Sequence, residues 1–405
     1  MDCGMRPEFV VDLVTRLDFP RVVGTDGEER GFGVVKQALA VFGVDAWFEE
    51  FSSPWLEFAE ADFSLEGECF PIRPLVNPVF DGPWTPVARD ADVEGPLTEP
   101  TDMPHPAEGS VAVRTELDRK NPCTAGASAQ LFACQPEQGF VAYYLAAVGG
   151  LGRPMPSAYI DPHLEKFLVA NLGRTCRFRW VSRDCTKTLR NLVAEIRGSQ
   201  RPDEVICVGA HMDSFPGTVG ANDNASGCAR LVEFARWFKE HPPLRSMRFI
   251  WFTAEELDRR GSQAYVQARA GDADKIVLYV NVDGGVSVDH EWPHLGEAHR
   301  EQINAITEES LASVCVPEGR GIFTQPEELD STSDAAAFQD AGIPAIFLPG
   351  GGKRKTPGAH PHLPTDTVDK LDVANIQASL LLGTAFLDRI QQHRIAAADV
   401  QGPPT

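Results

Sequence analysis

The sequence contains no run of about 18 apolar residues, so nothing in it reads as a membrane-spanning helix. Its nine cysteines (positions 3, 69, 123, 134, 176, 185, 207, 228 and 315) are odd in number and scattered, without a C-x-x-C pair. That pattern favours reduced thiols over a disulfide scaffold or a cysteine zinc site. The opening MDCGMRPEFVVDLVTRLDFPR lacks the basic leader and apolar core of a secretion signal, and a cytoplasmic location is expected. Basic residues are also short, 37 against 58 acidic ones, for a formal charge of −21. Such a surface repels nucleic acid and anionic lipid, so neither is an expected partner. No internal repeat or long low-complexity tract occurs. The PGGGKRK stretch at 349–355 lacks the G-x-x-x-x-G-K-[ST] order of a phosphate loop and reads as a flexible rim.

What is present is ordinary globular material: 405 residues, 43% of them apolar and 23% charged, enough for a sizeable core. The length suggests one large α/β domain carrying an insert, or two domains. Residues 6–43 read as helical and stop at Gly43; DAWFEEF at 45–51 then alternates like a strand. From 60 to 183 prolines crowd the chain, as in FPIRPLVNPVFDGPWTP, between short β-like runs such as SVAVRT and a helical candidate, GFVAYYLAAVGG. This stretch reads as a smaller, strand-rich insert, with 1–59 and 184–405 forming the main domain.

After Asn191 the rhythm becomes regular. NLVAEIRG, EVICVGA, SMRFIWFTA, KIVLYVNVD and IPAIFLP are short, almost continuously apolar runs that suit strands buried on both faces. Helical segments alternate with them: CARLVEFARWFKE, SQAYVQARA, AHREQINAITEESLASV and ANIQASLLLGTAFLDRI. The expected fold is a three-layer α/β/α sandwich around a mixed, mostly parallel sheet.

In such sheets ligands gather beyond the carboxyl ends of the strands. His211 and Asp213 follow EVICVGA, with Asp223 in the same loop. Glu255 and Glu256 follow SMRFIWFTA, and Asp283 ends KIVLYVNVD. Ser333 and Asp334 precede IPAIFLP, while His362 and Asp366 lie beyond it. Each loop alone is an ordinary turn or a solvated helix start. Together they supply the imidazole and carboxylate ligand set of zinc, with enough groups for two metals and one carboxylate left for proton transfer.

The segments GAHMDS…GANDNASG, FTAEELDRRGS, NVDGG, STSDAAAF with AGIPAIFL, and HLPTDTVDKLD resemble the ordered motifs of metallopeptidase family 28. That family comprises co-catalytic zinc aminopeptidases, with carboxypeptidases and glutaminyl cyclases among its relatives. The resemblance covers about 190–390, and RVVGTDGEERG at 21–31 is similar to the family's N-terminal segment. The 60–183 insert stands where members carry a protease-associated domain, and resembles it loosely through MPSAYIDPHLEKFL. The resemblance implies an aminopeptidase with two zinc ions, manganese or cobalt being alternatives, acting on a peptide or small amide. His211 and Asp283 would terminate one zinc, Glu256 and His362 the other, and Asp223 would bridge them. Glu255 would be the general base on a metal-bridging water. Asp213 would accept from the far nitrogen of His211, and Asp334 would support base and metals from behind.

Two positions depart from the family pattern. Pro361 stands where members commonly carry an aromatic before the last histidine, leaving His360 as a substitute donor or a plain loop histidine. Ala335 stands in place of the histidine of S-D-H. Arg259 and Arg260 read as solvated helix charges with substrate carboxylate as the alternative, and His294 and His299 lie within sequence reach of the cleft. Cys207 and Cys228 read as buried small hydrophobes. The same ligand set also serves a small-metabolite amidase or a glutaminyl-cyclase-like acyltransferase. The oligomeric state is not written in the sequence.

Overall fold

The structure, a computed structural model, describes residues 4–74, 90–99, 109–114, 127–133, 156–215, 218–271, 273–284, 297–315, 333–348, 362 and 365–393. The expected GFVAYYLAAVGG helix, the 349–355 rim, His294, His360 and Pro361 lie outside these residues, as does the His299 side chain. The strands are β1 Ala46–Leu65, β2 Glu68–Pro71, β3 Arg73–Pro74, β4 Ala91–Thr98, β5 Val111–Arg114, β6 Ala129–Phe132 and β7 Ser157–Tyr159. They continue with β8 Thr175–Ile196, β9 Arg201–His211, β10 Arg245–Phe252, β11 Ile276–Asn281 and β12 Ala345–Phe347. None of the described helices is long and apolar enough to cross a membrane.

The chain divides into two compact units, Met1–Phe51 with Thr188–Thr405, and Ser52–Lys187. Both divisions fall inside the long strands β1 and β8, where no change of composition marks them.

In the first unit the strands run in the order β12-β11-β9-β10-β8, all parallel except β8, which pairs antiparallel with β10. The mixed, mostly parallel sheet is therefore present. The near-continuous apolar runs arise because both faces are covered. Along β9, Ile206, Val208 and Ala210 enter one core cluster, while Val205 and Cys207 enter another on the opposite face. Met247, Phe249 and Trp251 of β10 divide from Ile250 and Phe252 in the same way. The helices Pro7–Arg16, Asp26–Val41, Ser226–Glu240 and Val373–Ile390 cover the first face, and Arg260–Gln267 with Ala335–Asp340 the second.

The helical reading of 6–43 is corrected. Two helices, Pro7–Arg16 and Asp26–Val41, are separated by nine residues of irregular chain containing Pro20. Proline removes a helix donor and biases the preceding residue away from the helical region.

The second unit has its own core, formed around Phe63, Leu97, Val113, Leu131, Phe178 and Trp180. Strands β4, β5, β6 and β7 pair parallel in succession, and β3 closes the edge antiparallel to β7. Within MPSAYIDPHLEKFL, Ser157–Tyr159 is the strand β7 and a six-residue helix follows at Glu165–Ala170.

Candidate metal centre

Parallel strands place their carboxyl ends on one edge, and the side chains singled out above converge there, all within the first unit. β9 delivers His211 as its last residue. β10 ends at Phe252, three residues before Glu255, and β11 ends at Asn281, two before Asp283. Of three ligand-like groups among the described residues, two share Asp223: His211, Asp223 and Asp283, and Asp223, Glu256 and His362, each with its ligand atoms within 4.8 Å of one another. Asp223 belongs to both. Its Oδ1 lies 3.0 Å from His211 Nε2 and its Oδ2 3.3 Å from His362 Nε2. His211 Nε2 is 3.3 Å from Asp283 Oδ1, and His362 Nε2 is 3.1 Å from Glu256 Oε2. Glu255 joins His211 and Glu256 within the same 4.8 Å limit.

The donor set fits a cation. His211 Nδ1 lies 3.0 Å from the Asp213 carbonyl oxygen, so that nitrogen carries the proton and donates. Its Nε2 then turns a lone pair toward two carboxylate oxygens and, among the described residues, has no hydrogen-bond partner, and neither has the buried Glu256 Oε1. Converging lone pairs repel unless a proton or metal ion stands among them. Zinc bonds of about 2.0–2.2 Å in tetrahedral array put ligand atoms about 3.4 Å apart, close to the separations found. The centre runs from a dry floor to an open mouth: side-chain exposure is 1% at His211, 12% at Asp223, 20% at Asp283 and 31% at His362.

Electrostatics bear the marks of crowding. Burial works against charge on Asp223, yet His211 and His362 outweigh it and hold the carboxyl well below its usual range. Burial also pulls both imidazoles down, but the facing carboxylates, Asp283 and Glu255 for His211 and Glu256 and Asp223 for His362, raise them well above the ordinary value. Glu255 is raised well above the carboxylate range, first by burial and then by Glu256, Asp283 and Asp334, with His211 opposing. Asp334 is buried and pushed up to about 7. The Ser262 hydroxyl facing it gives its proton to the Arg259 carbonyl at 3.1 Å, and both Asp334 oxygens go without a formed hydrogen bond.

Asp213 acts differently from the expectation. Its carboxylate is 3.7 Å from His211 Nδ1, which instead reaches the Asp213 main-chain carbonyl. The side chain accepts the main-chain N–H groups of Glu255 and Glu256, each at 3.1 Å. Those two residues sit in a loop where Ala254, Asp258 and Arg259 all adopt positive φ (55°, 68° and 59°), strained for residues with a Cβ, so an anchor is needed. Asp366 is the counterpart: its carboxylate accepts the N–H groups of Asn222 (2.8 Å) and Asp223 (3.0 Å), and burial pushes it up to about 7. The Asn224 side chain ties this loop to the next, donating to the Val282 carbonyl at 3.0 Å and accepting from the Gly284 N–H at 3.2 Å. Ser333 donates to Asp283 Oδ2 at 3.2 Å and accepts from Asn281 Nδ2 at 2.6 Å. Arg230, fully buried, donates to the Gly284 carbonyl and to Ser379 Oγ. Phe215 stacks on His362, with ring centroids 4.6 Å apart and planes at 18°. Gly220, at φ +56°, begins the turn into Asp223.

Asp366→Asn therefore loses one of its two amide acceptors. We expect a drop of about 10–100-fold in zinc affinity, read by competition with a chromophoric chelator.

The roles of Asp366, Asn224, Arg230 and Phe215 are missing from the sequence reading. Arg259 faces Asp258, with 3.2 Å between charged atoms, and Cys207 and Cys228 are buried. Ala335 opens the Ala335–Asp340 helix.

Residues 191–385 match the model of peptidase family M28. The chain is 28% identical over 391 residues to the probable lipoprotein aminopeptidase LpqL of Mycobacterium tuberculosis, covering 89% of this chain and 75% of that protein. It is 28% identical over 268 residues to the probable leucine aminopeptidase 2 of Aspergillus oryzae, covering 60% of this chain and 52% of that one, about half its length. Among solved structures, a zinc aminopeptidase from Bacillus subtilis shares the fold with a TM-score of 0.69 at 19% identity, over 95% of both chains.

Proposed function

From the match of residues 191–385 to peptidase family M28 we propose that this chain belongs to that family and is a zinc-dependent aminopeptidase releasing N-terminal residues from peptides. The observation that carries the reading is Asp223, whose two carboxylate oxygens face separate histidines, each with a further carboxylate at hand. On this reading His211, Asp223 and Asp283 would hold one zinc ion, and Asp223, Glu256 and His362 a second. Zinc, when bound, supplies Lewis acidity that polarises the scissile carbonyl and makes water a better nucleophile near neutral pH.

The rest is done by the protein. Glu255 stays outside both ligand sets while remaining within 4.8 Å of His211 and Glu256. Its carboxylate can take a proton from the attacking water and return it to the departing amine. Asp213 holds Glu255 and Glu256 by their main chain, so base and ligand keep a common frame. Asp334 adds negative charge behind Glu255 and keeps its proton affinity high.

The aminopeptidase names of the relatives support peptide substrates. A cytoplasmic site of action remains our reading from the thiols. The test uses leucine p-nitroanilide and its N-acetylated form. The full chain should cleave only the free-amine substrate, lose turnover on chelation and regain it with about two equivalents of zinc. Chelator-insensitive turnover, or equal cleavage of the blocked substrate, refutes the proposal.

A further inference from the structure

Arg21 lies 170 residues before the start of the family match at 191, yet it is bound to the metal loop. Its side chain is fully buried, and among the described residues its guanidinium donates to main-chain carbonyls alone. Nε reaches Met212 (2.9 Å), Nη1 reaches Val219 (2.6 Å) and Nη2 reaches Gly220 (3.0 Å), so one rigid fork holds both ends of the 212–220 loop. Nη1 also donates to the Leu17 carbonyl at 2.8 Å and the Phe19 carbonyl at 3.3 Å, tying that loop to the N-terminal segment. The Arg21 main chain completes the clasp: its N–H donates to Ser214 Oγ at 2.9 Å and its carbonyl accepts from the Ser214 N–H at 3.2 Å. The seat is shaped for it. A Cβ on Gly27 would lie 2.2 Å from the Pro20 carbonyl oxygen, and one on Gly31 would lie 3.0 Å from Arg21 Cδ.

A buried guanidinium without a carboxylate in hydrogen-bond contact is costly to fold, and such groups persist where geometry is worth the cost. What this fork spans is the chain between His211 and Asp223, two members of one ligand group. We infer that Arg21 is a positioning residue of the metal centre, setting the distance between His211 and Asp223, so that the N-terminal segment is part of the site. The inference rests on the metal-binding reading above. A lysine cannot replace the fork, because one ammonium cannot reach carbonyls at both ends of the loop.

The test is Co2+ titration of the metal-free full chain, followed by visible absorption, with thermal melts of each protein. Wild-type chain should saturate with a tetrahedral or five-coordinate spectrum. Arg21→Lys and Arg21→Met should still melt cooperatively but bind Co2+ at least tenfold more weakly, with an altered spectrum. Arg21→Ala should regain affinity in about 10 mM guanidinium and not in equal urea, and the altered Co2+ spectrum is the readout that a loss of stability alone would not move. Gly27→Ala, which shifts Pro20 and Arg21 while keeping the side chain, should weaken binding to a lesser degree and decides the matter if the Arg21 variants do not fold. Wild-type affinity and spectrum in Arg21→Met, or in a folded Gly27→Ala if that variant must decide, overturn the inference. No Co2+ binding by the wild-type chain overturns the metal reading itself and the inference with it.

Discussion

Glu255→Gln should leave a folded chain that still takes up zinc but hydrolyses leucine p-nitroanilide about 10²–10⁴-fold more slowly, the range that a positioned general base contributes. The substitution is nearly isosteric and leaves the main chain untouched, so the Asp213 anchor on the Glu255 N–H survives. Neither ligand group that shares Asp223 includes Glu255, so metal content should be unchanged. What is lost is a proton acceptor whose affinity burial and the neighbouring Glu256, Asp283 and Asp334 carboxylates have raised. The loss should appear in kcat with KM little changed, because the missing interaction belongs to the transition state. Metal analysis beside steady-state kinetics checks it. Retained turnover would remove Glu255 from the mechanism, and lost zinc would make it a ligand.

The second large effect is competition between protons and metal. In the metal-free chain His211 and His362 titrate well above the ordinary imidazole value because carboxylates face them. A raised folded pKa gives stability that is complete below the unfolded value near 6.5 and is lost as pH rises through the folded value. The carboxyls Asp334 and Asp366, pushed up to about 7, act in the same direction over the window from the unfolded value of 3.8 to about 7. The metal-free melting temperature should therefore fall as pH increases from about 5 to 8. Each zinc must displace one imidazole proton, so the apparent affinity of each site should rise up to about tenfold per pH unit, and loading of both about a hundredfold, while both imidazoles remain protonated. Chelator competition at several pH values measures the slope. A slope near zero would show that the two histidines are already deprotonated, or that they are not ligands.

The alternation of strands with helices and the imidazoles and carboxylates at the strand ends were legible because residue type carries them. Continuous β-branched runs mark strands buried on both faces, and imidazoles with carboxylates at successive strand ends mark a cation site. The break between the first two helices was readable in principle from Pro20, and the parallel pairing of β4 to β7 was not, since short runs of three to eight residues carry no sign of direction.

The supporting frame was hidden for a physical reason. Asp213 and Asp366 each hold two main-chain N–H groups, and Arg21 holds main-chain carbonyls. Every residue except proline offers the same amide, so no side-chain pattern in Glu255, Asn222 or Gly220 announces such a partner. By itself, then, the sequence determined which imidazoles and carboxylates stand at the strand ends. Only the tertiary structure decided what keeps those groups about 3 Å apart, because backbone hydrogen bonds between distant segments exist only once the chain has folded.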